Sequence, residues 1–119
     1  MQIPQTKSDS SASDRPDRRT PSSESVSVRN YDAATVNTLS VRLVDSRDEV
    51  VVDRSVRVEP SETVSMRLPI DHATYRVEAT LEEQASDSAE CPIGDTPEER
   101  AVIECGNGVV TVTAGRHTR

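Results

Sequence analysis

The side chains that could do chemistry are few: Cys91 and Cys105, His72 and His117, and the carboxylates Glu82, Glu83, Asp87, Glu90, Asp95, Glu98 and Glu99. The two cysteines bracket the later part of the acidic run, Asp95, Glu98 and Glu99. In a framework of hairpins, a cysteine just beyond one strand and another ending the next could meet at the Cα separation a disulfide needs. Such a bridge would stabilise by about 3 kcal/mol through loop closure and would imply an oxidising compartment, the cell envelope or the exterior. The alternative is two unrelated reduced thiols. Cys91-Pro-Ile-Gly94 has half of a zinc knuckle but lacks the second closely spaced cysteine, and Cys91, Cys105, His72 and His117 include no pair at a recognised ligand spacing. Copper is disfavoured too, since no Met follows Cys105 and its only downstream His is His117. Clustered carboxylates over 82–99 are a candidate calcium site without the twelve-residue alternation of an EF-hand; a solvated acidic surface is the simpler account. A calcium or zinc domain thus stands as the second reading, with no metal ligand assigned and no cofactor expected.

Catalytic constellations are missing. No G-x-S-x-G elbow surrounds a serine, neither histidine has a motif context, and four glycines leave no phosphate-cradling loop. The net charge of -7 argues against nucleic acid and anionic membranes as partners. No apolar run reaches the roughly 18 to 20 residues a membrane-spanning helix needs, and the N-terminus has no apolar signal-peptide centre. Arg18-Arg19 leads into Thr-Pro-Ser-Ser rather than an export signal. The protein is expected to stay where it is made, unless an export segment lies outside this chain.

The elements that must hold these residues are strands. Residues 1–24 contain six Ser and three Pro, with only Met1, Ile3 and Ala12 apolar, and read as a disordered tail. After residue 25 the texture changes: all 16 Val fall beyond that point, mostly in short alternating runs that suit a pleated sheet. Expected strands carry Val26 and Val28; Leu39, Val41 and Leu43; Glu49 to Val52, doubly buried or bulged; Val56 and Val58; Val64, Met66 and Leu68; and Tyr75, Val77, Ala79 and Leu81. Asp45 to Asp48 reads as a tight turn, and Pro60-Ser61-Glu62 as another. Residues 82–99 read as a long loop. Asn107-Gly108, between Val102 to Cys105 and Val109 to Val112, predicts a type I′ hairpin turn. Thr96-Pro97-Glu98-Glu99 has the form of a helix start, here expected as a single helical turn. Residues 115–119 are expected to fray. Seven to eight short strands with no long helical period define an all-β antiparallel sandwich over 25–114.

Asp71-His72-Ala73-Thr74-Tyr75-Arg76-Val77 resembles the D-x-A-x-Y-x-C signature at the start of strand F in immunoglobulin-like domains. The resemblance implies that Tyr75 is a structural corner residue whose hydroxyl bonds to nearby backbone around Asp71. Val77 replaces the family cysteine and there is no Trp, so the core is not of antibody type. Together with Val26-Ser-Val-Arg-Asn30, Val58-Glu-Pro-Ser-Glu-Thr63 and Thr74 to Val77, the pattern is similar to small immunoglobulin-like or fibronectin-like modules of haloarchaeal envelope proteins. One Lys against 13 Arg, among abundant Asp and Glu, fits the same resemblance. With this fold and no catalytic constellation, a non-enzymatic structural or interaction module is expected, one whose binding would run through loops at one end of the sandwich or an edge strand.

Overall fold

The computed structural model describes residues 25–82, 84–96 and 98–115. The expected tails at 1–24 and 116–119 lie outside the described residues. Gly115, counted in the expected tail, is buried, and its N–H donates to the Arg100 carbonyl at 2.6 Å, so the folded part reaches at least that far.

The fold is an immunoglobulin-like sandwich of eight strands, β1 (Val26–Asn30), β2 (Asn37–Val44), β3 (Val50–Val58), β4 (Thr63–Met66), β5 (Ala73–Leu81), β6 (Ala85–Ile93), β7 (Ala101–Gly106) and β8 (Val109–Ala114). One sheet has the order β4-β1-β7-β8 and the other β3-β2-β5-β6. Alternation decides which face each strand buries. Leu39, Val41 and Leu43 point inward from β2, and Val77, Ala79 and Leu81 from β5. Val26 and Val28 meet them from β1, with Ala101 and Ile103 from β7. Full burial of each such Val or Leu is worth about 1.5 to 3 kcal/mol, so these short strands are stable only as two facing layers.

Three expectations are corrected. The two runs at 49–52 and 56–58 are one strand, β3, with the register shift at Leu43/Val44 taking up an extra residue near Val51. The presumed 82–99 loop contains β6, which pairs with β5 over nine positions from Ala73↔Ile93 to Leu81↔Ala85. Its backbone ladder makes it a strand although its side chains are small or polar. The arrangement is also not wholly antiparallel, because β1 and β7 run parallel. Glu99 closes back on Thr96: its N–H donates to Thr96 O, and its Oε1 accepts from Thr96 N–H at 3.3 Å. No helix occurs among the described residues.

Tyr75 is buried at the start of β5, and its hydroxyl donates to the Asp71 carbonyl at 2.6 Å, closing the turn into the strand. Burial holds the phenol above its ordinary pKa, so it remains a donor. Tyr75→Phe should therefore lower stability by about 1 to 2 kcal/mol, read as a smaller urea midpoint with an unchanged far-UV circular dichroism spectrum.

Candidate functional site

Strand directions give the sandwich two ends. At one lie the start of β5 and the end of β6; at the other lie the end of β1, the start of β2 and the β7–β8 turn. The first end holds Tyr75, Asp71, Cys91 and His72, whose Nε2 lies 3.2 Å from Asp95 Oδ1. The second end holds Cys105, whose Sγ is 3.5 Å from Asn37 Nδ2. Cys91 stands opposite Tyr75, and Leu81, six residues further along β5, is opposite Leu39, close to Asn37. At about 3.3 Å per residue the cysteines are about 20 Å apart along the strands, far beyond disulfide reach.

The expected Cys91–Cys105 disulfide is thus absent: both thiols are free and buried. The reason is that the segment leading into Cys91, expected as a loop, is β6, which carries Cys91 to the far end. Burial pushes the Cys91 thiol up to about 11. It raises that of Cys105 as well, against the pull of the Asn37 amide. The metal reading meets the same geometry. The acidic residues are spread over a turn, a strand and a loop, with Asp87 Oδ2 accepting the Val112 N–H at 2.8 Å. No group of three or more His, Cys, Asp or Glu among the described residues is placed to hold a metal ion; His117 lies outside them.

The second end is tied together by a polar network that the sequence reading missed. Asn30, fully buried, donates through Nδ2 to the carbonyls of Thr35, Val58 and Glu59 at 2.8, 3.1 and 3.2 Å. Its Oδ1 accepts from Asp32 N–H and from Asn37 Nδ2, both at 2.9 Å. Asp32 in turn accepts from Asn37 Nδ2 and from the N–H of Asn107. The Asn107 and Gly108 φ angles are 54° and 76°, both of the sign a type I′ turn requires. The β1–β2 loop, the β3–β4 turn and the β7–β8 turn are thereby locked to one another. The Asn107 N–H, then the Asn37 amide, hold the Asp32 carboxyl below its usual range.

Tyr31 stands on this platform. It is 57% exposed, and the chain has only one other aromatic residue, Tyr75. The Tyr31 N–H donates to Cys105 O, the hydroxyl donates to Glu104 Oε2 at 3.0 Å, and the Arg29 guanidinium lies 4.8 Å from the ring centroid. A Cβ at Gly106 would come within 3.2 Å of Tyr31 Cβ, so the glycine provides the seat. Val109, paired with Gly106, is 56% exposed beside it. The signal available in the sequence was an aromatic two residues after Arg29 at a strand end, in a chain almost without aromatics.

Two facing β-sheets joined at a tyrosine corner define the immunoglobulin-like class. The halobacterial Ig-like domain family model matches residues 35–119, and the chain belongs to that family. The match begins after β1, although β1 lies between β4 and β7 in its sheet. One solved structure, the NMR structure of a protein from Eubacterium rectale, is similar at 9% identity and a TM-score of 0.42, with 79% of this chain and 91% of that chain covered. No curated protein matches.

Two measurements check this geometry. A thiol reagent such as Ellman's should titrate no cysteine in the folded chain and two per chain in denaturant, without prior reduction. Because the Asp32 pKa is lowered by folding, its contribution is complete above the unfolded value of about 3.9 and is lost as pH falls through the lower folded value. Over roughly pH 5 to 2, the melting temperature of Asp32→Asn should accordingly fall less steeply than that of the parent.

Proposed function

We propose that this domain is a non-enzymatic structural or protein-interaction module whose contact surface is the end that carries Tyr31. The observation that carries this reading is an exposed aromatic ring held in one orientation by Arg29, Glu104 and Gly106 in a chain with only two aromatics. A large ring loses little conformational entropy on binding when it is already fixed, and Tyr and Arg are both among the residue types enriched at energetically dominant interface positions. Val109 adds apolar area, and the Asn30 network keeps the platform rigid beneath them. The family also favours the reading, since immunoglobulin-like sandwiches ordinarily act through their surfaces.

A photo-crosslinking residue placed at position 31, in an extract of the source cells, should give discrete protein adducts. The same residue at Ser86, on the outer face of the other sheet, should give none. With the crosslinking residue moved to Val109 so that Tyr31 is kept, Arg29→Ala should reduce the adducts at least several-fold, because the Tyr31 ring then loses its fixed orientation. Equal labelling from positions 31 and 86 would refute the assignment.

A further inference from the structure

We propose that two copies of this chain associate through the free edge of β3, antiparallel, about a two-fold axis at Ser55. The four sheet edges are not equivalent. Those of β6 and β8 run alongside each other, with Asp87 of β6 occupying the Val112 N–H of β8. Pro92 in β6 lacks an N–H, and β4 has only four residues. β3 has nine residues and pairs on one side only, with β2. Its first turn of chain also exposes Val50 at 51% and Val51 at 42%.

Charge along β3 selects the second copy as occupant. When two identical strands extend one sheet about a two-fold axis, residues opposite each other must lie on the same face. Centring the pair on Asp53 or Arg54 sets a charge against its own twin, and centring it on Val56 sets Asp53 against Glu59. Centring on Ser55 sets Asp53 against Arg57 of the second copy twice over, with Val52 against Val58. Asp53 and Arg57 are both exposed on the outer face, where Asp53 already meets Arg42 at 3.5 Å and Arg57 meets Glu59 at 3.1 Å. Arg54 stands opposite Val41, which faces the core, yet it is exposed. A charge on the inward side of an edge strand deters arbitrary apolar strands. In the Ser55 register the Arg54 stem lies along Val56 of the second copy and its head stays in solvent.

The test is light scattering on the full chain after size exclusion, at the lowest KCl concentration that preserves its folded circular dichroism spectrum. The mass should rise from 13.0 kDa toward twice that value as protein goes from micromolar to millimolar. Asp53→Arg alone and Arg57→Asp alone should each weaken association about tenfold or more, since each turns two attractive pairs into repulsive ones. Mixing the two variants should restore it, because each then meets its complement without any change within either chain. The double variant D53R/R57D repeats the test within one chain should either single variant fail to fold. Tyr31→Ala should leave association unchanged, which separates this contact from the Tyr31 surface. A parent that stays monomeric at millimolar concentration, or a mixture of the variants that stays monomeric, would overturn the proposal.

Discussion

One buried amide, that of Asn30, joins parts of the chain that the strands alone would leave independent. It sits at the end of β1, where backbone carbonyls from the β1–β2 loop (Thr35), the end of β3 (Val58) and the β3–β4 turn (Glu59) converge on its Nδ2. Both polar atoms of the amide are satisfied within this site, and an unpaired buried polar group costs about 1 to 3 kcal/mol. The amide also fixes register. β1 has only five residues and lies between an antiparallel and a parallel neighbour. A slip of one residue would turn Val26 and Val28 outward and pull the amide from its carbonyls, so apolar and polar burial penalise the same error.

The interior explains why so small a strand needs so specific an anchor. Its side chains are Val, Leu, Ile, Ala and Cys, with Tyr75 the one aromatic. Branched aliphatics pack tightly but have little shape of their own, and many registers would bury similar area. Specificity therefore comes from polar groups at the two ends: the Tyr75 hydroxyl on the Asp71 carbonyl at one, the Asn30 and Asp32 network at the other. The edges follow the same logic. Asp87 faces inward from β6 and meets a backbone N–H, while Arg54 faces inward from β3 and meets solvent.

Much of this fold could be read from residue order. Alternation in β2 and β5 was unmistakable because each has one apolar face and one polar face, and Asn107-Gly108 carried its own backbone requirement. The β6 segment was opaque because its ladder to β5 is a property of backbone and partner. Ser86, Asp87, Ser88 and Glu90 give no apolar period to detect. That omission produced the mistaken disulfide, since a loop would have allowed Cys91 to fold back toward Cys105. The Asn30 network was invisible for another reason: its carbonyl partners at Val58 and Glu59 are nearly thirty positions away, and a carbonyl has no residue type. Tyr31 was legible only as a rarity, its exposure following from the outward position next to the inward Asn30.

The charge distribution limits how such a surface can recognise anything. On the outer face of the β3-β2-β5-β6 sheet, Arg42 pairs with Asp53 and Arg76 with Glu78 and Asp48, all in solvent and each worth at most about 1 kcal/mol. At molar ionic strength the Debye length would be about 3 Å, so neither these pairs nor the net charge would act at a distance. What stays effective at that screening length is direct contact, and the proposed Tyr31 surface presents a ring, a cation and an apolar neighbour already in place. Around Tyr31, Glu104 accepts from the hydroxyl and the Arg29 guanidinium lies over the ring, and the platform below is held by the buried amides of Asn30 and Asn37.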